Sequence, residues 1–127
     1  MHRSRLACFV IDCRTDDLDR DARFWSKALG YPVDPEGGDG QYVELVTPAD
    51  QPRILLQKVD HEPRIHLDIE SDDKQAEVAR LEKIGARQIG EVKRWVVLEA
   101  PSGHRFCVVN PQRPDFPEKG TAWGDDA

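Results

Sequence analysis

The stretch "RIHLDIESDD", residues 64–73, repeats the pattern of "CFVIDCRTDD", residues 8–17. In both stretches an apolar residue precedes an aspartate, and a hydroxyl residue followed by two aspartates ends the match. Alternating apolar residues followed by residues that cap helices are typical of a junction between a strand and a helix. The chain therefore contains the same junction twice. The two copies differ at one chemically important position, where His66 stands opposite Val10.

The elements that surround the two junctions repeat in the same order. Each half is predicted to form a strand, a helix and three further strands, and "YVELVTP" (42–48) matches "WVVLEAP" (95–101). The predicted strands lie near residues 5–13, 31–34, 41–47, 53–59, 64–70, 86–91, 94–99 and 104–110. This order predicts an α+β fold of tandem βαβββ modules, residues 1–60 and 61–112, within a single domain.

Apolar spacing and capping residues define the two helices. The first helix is predicted to bury one stripe, to begin at Thr15 or Asp16 and to end at Gly30. The second is predicted over 72–84 with Gly85 as its terminator. The stripe of the first helix contains Leu18, Ala22, Trp25 and Leu29, and the inward residues of the second are Val78, Leu81 and Ile84.

Apolar and polar residues alternate along the strand at 64–70, so its two faces have different predicted surroundings. Ile65, Leu67 and Ile69 are predicted to lie under the second helix. The opposite face carries Arg64, His66, Asp68 and Glu70, and the same alternation assigns Tyr42, Glu44, Trp95, Glu99, Arg105 and Cys107 to it. If the two modules form a cupped mixed sheet with the helices outside, these side chains line a cleft.

Composition excludes several classes of protein. With 18 Lys and Arg against 24 Asp and Glu, the net charge is −6, and no basic cluster is present to bind a nucleic acid. The three cysteines, an odd number in apolar surroundings, indicate reduced thiols. No stretch has the length of a membrane span or the form of a signal peptide, so a cytoplasmic location is predicted.

Residues 113–127 are rich in proline and lack periodicity, and they are predicted to form a C-terminal tail. Two interpretations of the tail remain open. Phe116 and Trp123 either dock it on the body of the protein or on a partner, or they are incidental aromatic residues in a disordered segment.

These features together resemble the vicinal oxygen chelate superfamily, which contains glyoxalases, bleomycin-resistance proteins and extradiol dioxygenases. The resemblance covers roughly residues 5–110 and rests on the module order, on "FWSKALGY" and "RIHLDIES", and on "APSGHRFCVV" near the end. It is closest to the small glyoxalase-like branch. It implies paired modules that form a cup with a metal and substrate site inside, and a homodimer.

The resemblance also implies where a metal would bind. Metal-dependent members place His or Gln on the first strand of each module and Glu near the last strand. These positions correspond here to Val10 and His66, and to Leu55 (or Gln57) and Cys107. Val10 and Leu55 cannot bind a metal ion, so a divalent ion is expected to find an incomplete ligand set in which His66 is the clear match.

Six residues are candidates for a site on the second face. His66 is the predicted general acid or base and the candidate metal ligand, and Glu44 is the predicted second catalytic group because it stands among apolar neighbours. Tyr42, Gln57, Trp95 and Cys107 are predicted to contact a ligand. All but Gln57 have a structural alternative: cleft hydrogen bonding for His66, solvent exposure for Glu44, and packing for the aromatic residues and Cys107. The repeated aspartates, including Asp12 and Asp68, are assigned structural roles at the strand ends.

Two functions therefore remain open. The first is a glyoxalase-like protein that binds a small organic molecule and acts as a lyase or isomerase by proton transfer. The second is a non-catalytic binding protein similar to bleomycin-resistance proteins, for which an acidic cup with Tyr42 and Trp95 favours a planar cation. A regulatory module with a vestigial cup is a third interpretation.

Overall fold

The computed structural model describes residues 1–36 and 38–124, so Gly37 and residues 125–127 of the predicted tail lie outside the described residues. The elements are β1 (His2–Cys13), α1 (Leu18–Leu29), β2 (Tyr42–Leu45), β3 (Arg53–Lys58), β4 (Arg64–Ser71), α2 (Lys74–Lys83), β5 (Arg87–Val92), β6 (Trp95–Glu99), β7 (Arg105–Val109), α3 (Phe116–Lys119) and β8 (Thr121–Trp123). Within the described ranges, no helix has both the length and the apolar character that a membrane span requires.

The predicted α+β class and the order of the modules are confirmed, with one strand reduced. The segment predicted as a strand near 31–34 forms only an isolated bridge between Val33 and Leu45. Pro32 and Pro35 flank this position, and proline has no N–H group to donate to a strand ladder. The first module is therefore a strand, a helix, a bridge and two strands.

The chain divides into two compact units. The first unit contains Cys8–His66, and the second contains Met1–Ala7 with Leu67–Ala127. Helices α1 and α2 thus belong to different units, and each packs on strands of its own unit.

In the first unit, α1 covers a sheet in which β3 pairs parallel to β1 and antiparallel to β2. The predicted stripe of α1 is buried at Leu18 and Ala22, whereas Leu29 remains 41% exposed. The helix begins one residue later than predicted, because Asp17 and not Thr15 or Asp16 accepts the capping hydrogen bond from the Arg20 backbone N–H. Gly30 ends the helix in the left-handed conformation, as predicted.

In the second unit, α2 packs on β4, β7 and β6 and buries Val78 and Leu81, as predicted. Ile84 lies beyond the last turn of the helix and is 66% exposed, so its predicted inward position is wrong. The prediction for β4 is correct only at Ile69, which packs against this core, whereas Ile65 and Leu67 are 58% and 40% exposed. A helix of ten residues is about 15 Å long, and α2 covers only the carboxyl end of the strand.

The segment after β7 is docked on the second unit by a short helix and a strand. Phe116 is buried, and β8 pairs antiparallel with the first residues of β1. The indole of Trp123 donates to Ser4 Oγ and lies 3.8 Å from the Arg80 guanidinium. Of the two interpretations left open for these aromatic residues, docking is the one observed.

Candidate functional site

Strand register places three polar side chains in one line across the face of the first unit that α1 does not cover. Asp12 on β1 pairs with Gln57 on β3, and Gln57 pairs with Tyr42 on β2. We call these three residues the polar row. The amide of Gln57 donates to the Tyr42 hydroxyl at 3.3 Å. The neighbouring line on the same face contains Val10, Leu55 and Glu44. Val10 and Leu55 form an apolar strip beside the polar row.

His66 is fixed to this row by its contact with Asp12. Its Nδ1 lies 2.9 Å from Asp12 Oδ2, and the side chains are 15% and 3% exposed respectively. A carboxylate can only accept a hydrogen bond, so Nδ1 carries the hydrogen. In the neutral imidazole, Nε2 then presents its lone pair as a base or a metal ligand.

Asp12 is the centre of a cluster that also contains two exposed basic side chains. Arg64 Nε lies 3.7 Å from Asp12 Oδ2, and His61 Nε2 lies 4.0 Å from the same oxygen. Among the described residues, Asp12 Oδ1 has no hydrogen-bond partner although it is buried. Burial of a carboxylate without full hydrogen bonding is costly, and such costs are typical of functional sites.

Glu44 lies on the predicted face but is paired with a cation. Both of its carboxylate oxygens accept from Arg53, at 2.8 Å from Nε and 2.6 Å from Nη2, and both side chains are about one-quarter exposed. A bidentate guanidinium pair occupies both oxygens of the carboxylate. The geometry therefore fits Glu44 better as an anchor for Arg53 than as a second base.

In the second unit, Asp68 and Cys107 are neighbours across the paired strands β4 and β7. A carboxylate oxygen of Asp68 and the Cys107 sulfur lie within 4.8 Å of each other. A carboxylate and a thiol are ligand types that fit Zn²⁺ and similar ions. Asp68 was predicted to have only a structural role, and it adds a second possible ligand beside Cys107.

Cys13 follows the polar row in β1 but lacks the properties of a nucleophile. Burial raises the pKa of its thiol to about 11, and the negative charges of Asp21 and Asp12 act in the same direction. A thiol with this pKa remains protonated at neutral pH, and the thiolate is the nucleophilic form. Cysteine chemistry at this position is therefore disfavoured.

Trp95 lies in the second unit, where it lines a groove of ≈ 420 Å³ between α2 and the β5–β6 hairpin. The wall of this groove also contains Lys74 and Arg94, which belong to α2 and to the hairpin turn. Tyr42, its counterpart in the repeat, lies in the polar row of the first unit. The structure thus brings together Tyr42, Gln57 and His66 in the first unit, and it describes Trp95 at the groove of the second unit.

The sequence analysis missed Asp12 as a member of the site, and it placed Arg64 on the face of His66 without including it among the candidate residues. Asp12 recurs at Asp68 in the second junction, which favoured a shared structural role, whereas its contact with His66 joins positions 54 residues apart. Arg64 carried a usable signal, because it precedes His66 by two residues in an alternating strand and must share its face.

Comparison with known proteins identifies the family. The model of the family described as glyoxalase-like domain matches residues 8–109. The chain belongs to the glyoxalase-like domain family. This confirms the predicted membership of the vicinal oxygen chelate superfamily and the predicted fold class. A search of the curated proteins finds no match.

Solved structures share the glyoxalase-like fold at low sequence identity. Methylmalonyl-CoA epimerase from Mycobacterium tuberculosis has a TM-score of 0.60 and 21% identity, over 89% of this chain and 91% of that chain. A variant of Streptomyces coelicolor methylmalonyl-CoA epimerase in complex with 2-nitronate-propionyl-CoA has a TM-score of 0.62 and 18% identity, over 85% and 97%. NAD-dependent benzaldehyde dehydrogenase from Legionella pneumophila has a TM-score of 0.61 and 12% identity, over 83% and 98%. The named activities differ, so this likeness concerns the fold.

Proposed function

We propose that this glyoxalase-like protein binds a small carbonyl compound and catalyses an isomerase-type proton transfer at the carbon beside the carbonyl group. His66 Nε2 removes the proton, the electron pair of the C–H bond moves into the carbonyl group to give an enolate, and the imidazolium returns the proton to carbon. The observation that carries this proposal is the hydrogen bond between His66 Nδ1 and the buried Asp12 carboxylate.

The contact with Asp12 supplies what a histidine base requires. It holds the tautomer in which Nε2 has the lone pair, and its negative charge stabilises the imidazolium that forms when the proton is taken up. Because Asp12 is only 3% exposed, water screens this stabilisation weakly. Asp12 therefore acts as a positioning residue for His66.

The polar row provides hydrogen-bond donors that suit the enolate formed when the proton is removed. Gln57 and Tyr42 carry N–H and O–H donors in line with Asp12, and such donors stabilise the oxygen of an enolate. Val10 is buried, whereas Leu55 is partly exposed and offers apolar surface to the carbon skeleton of a small substrate. Glu44 contributes by holding Arg53 at the far side of the apolar strip.

The relatives support an isomerase more than a lyase. Two of the similar solved structures are methylmalonyl-CoA epimerases, and one holds 2-nitronate-propionyl-CoA. An epimerase inverts one stereocentre, which requires that a proton leave one face of the carbon and that a proton be delivered to the opposite face. The dyad of His66 and Asp12 is suited to the first of these steps, the removal of the proton.

The experiment that tests the proposal measures deuterium incorporation from D₂O. A panel of 2-substituted 1,3-dicarbonyl compounds and 2-oxoaldehydes is followed by proton NMR with and without protein. We expect His66→Asn to lower the catalysed exchange rate by about 100-fold or more, the range for loss of a general base. His104→Asn, which changes an exposed histidine in the turn before β7, serves as the matched control and should retain full exchange. Binding without exchange, or equal exchange in both variants, would contradict the proposal.

A further inference from the structure

We infer that Arg64, oriented by His61, is a specificity-determining residue that selects substrates with a carboxylate close to the reacting carbon. This inference rests on the proposed function, because it identifies the substrate class of the same site. It concerns a cluster in the first unit that contains Arg64, His61, Asp12 and His66.

Exposure separates the roles of the two basic side chains beside Asp12. Arg64 and His66 approach the same Asp12 oxygen, but Arg64 is 47% exposed and His66 only 15%. The imidazole is thus the inner group and the guanidinium the outer one. A small molecule that reaches His66 from the solvent will pass beside a positive charge.

Arg64 is held in place before any ligand arrives. Its Nη2 lies 3.3 Å from His61 Nε2, while His61 Nδ1 lies 2.8 Å from the Glu62 carbonyl oxygen. The carbonyl oxygen can only accept, so His61 carries its hydrogen on Nδ1 and its Nε2 accepts from Arg64. Nη1 of Arg64 has no hydrogen-bond partner among residues 1–36 and 38–124. A guanidinium fixed at one edge retains donors at another edge, and carboxylates match this planar group.

The charges around the cluster favour an anion over a cation. Each acidic side chain that makes an ion pair here is paired with an arginine: Asp12 with Arg64, Glu44 with Arg53 at 2.6 Å, and Glu62 with Arg14 at 3.0 Å. Asp60, in the same loop as Glu62, is exposed to solvent, where water screens its charge. Protonation of His66 during the reaction adds a further positive charge. This argues against the planar cation that the acidic composition suggested.

The geometry also limits the distance between the carboxylate and the reacting carbon. His66 Nδ1 and Arg64 Nε contact the same oxygen at 2.9 Å and 3.7 Å, so the two nitrogen atoms cannot be farther apart than these contacts laid end to end. The Nε2 base and the Nη1 donor belong to these same two side chains, so a substrate that spans both groups carries its carboxylate close to the reacting carbon. Malonate-type and 2-oxo acids satisfy this condition.

Calorimetric titration with malonate, its neutral analogue malonamide and the planar cation benzamidine tests the inference on the intact protein. We expect the wild type to bind malonate at least about tenfold more tightly than either other probe, the ratio that one charge-assisted contact gives. Arg64→Gln should remove this preference, and Arg64→Lys should restore part of it. The matched control is Arg87→Gln, an exposed arginine of β5 that pairs with Glu99, and it should behave as wild type.

The outcomes distinguish the inference from the function on which it rests. Equal affinity for malonate and malonamide, tighter binding of benzamidine, or a preference that survives Arg64→Gln would overturn the role of Arg64. His66→Asn should keep the preference for malonate but lose deuterium exchange. A malonate preference that depends on Arg64, with no exchange in the wild type, would support the anion site and reject the proton-transfer function.

Discussion

At the scale of single residues, the environment of Asp12 differs most from the one that its place in the repeat indicates. The repeat pairs it with Asp68, and two residues with the same place in a repeat suggest the same structural task. The contact with His66 shows that the first copy has a different environment. Local patterns indicate which face a side chain occupies, but they do not identify its partner from a distant strand. For that reason the sequence predicted His66 and missed its carboxylate.

Asp12→Asn tests whether the carboxylate positions His66. The amide N–H₂ of Asn can donate to His66 Nδ1, and we expect the hydrogen of the imidazole to move to Nε2, which removes the base. The catalysed exchange rate should fall by about 100-fold or more. Nitrogen-15 NMR of the imidazole provides a readout that a purely structural role would not change: Nδ1–H in the wild type and Nε2–H in the variant.

Stability measurements complete the test of Asp12. Replacing a buried carboxylate that has one oxygen without a hydrogen bond removes a desolvation cost, so the melting temperature of Asp12→Asn should stay close to that of the wild type. Tyr42→Phe, a second variant in the polar row, leaves the His66 contact intact and should preserve the Nδ1–H tautomer. An unchanged tautomer and rate in Asp12→Asn would show that Asp12 does not orient His66.

At the scale of elements, helices and paired strands were predictable because their signals are local. Capping residues, Gly30 and Gly85 marked the helix ends to within two residues, and alternation identified the strands that pair. The incorrect predictions have physical causes that a short stretch of sequence does not contain. The bridge at Val33 is limited by neighbouring prolines, and α2 is too short to cover Ile65 and Leu67.

Helix α2 also contains a buried ion cluster that apolar periodicity could not predict. Glu77 is fully buried, and its carboxylate contacts His2 at 2.8 Å and accepts two hydrogen bonds from Arg80. Burial acts to raise the pKa of Glu77, but the hydrogen bonds from Arg80, His2 and Ser4 outweigh it and hold the pKa below its usual range. The ion cluster thus fixes the helix to the start of β1, while Val78 and Leu81 fix it to the apolar core of the second unit.

Glu77→Gln should destabilise the protein strongly, because it leaves Arg80 and His2 without a buried counter-charge. Removal of one partner from a buried ion pair costs about 3–5 kcal/mol. Urea unfolding followed by circular dichroism measures the loss. Glu82→Gln, an exposed change on the same helix, is the matched control and should stay within about 0.5 kcal/mol of the wild type. Equal stability of the two variants would show that the cluster contributes little to the anchoring of α2.

At the scale of the whole molecule, the carboxylates with lowered pKa values are concentrated in the second unit. Glu70 is buried, which by itself raises its pKa, but hydrogen bonds from the Gln112 and Arg113 backbone and from the Arg5 and Arg113 side chains lower it below the usual value. Glu77 behaves in the same way, and Arg5 lowers the pKa of the exposed Asp115. The charge network therefore joins β4 to the first strand and to the segment after β7, whose docking the proline-rich composition did not reveal.

This distribution predicts that acid weakens the second unit before the first. A carboxylate whose folded pKa lies below its unfolded value stabilises the folded state fully above the unfolded pKa, and this stabilisation is lost as the pH falls through the folded pKa. For Glu70 and Glu77 the loss should begin below about pH 5, because unfolded glutamate titrates near pH 4.3. Hydrogen exchange read by mass spectrometry between pH 7 and pH 3 should show α2 and β8 losing protection at a higher pH than α1. Glu82→Gln should leave this order unchanged, whereas Glu70→Gln should reduce the protection of β8 already at pH 7. Simultaneous loss of protection in α1 and α2 would show that these carboxylates do not control the acid stability of the second unit.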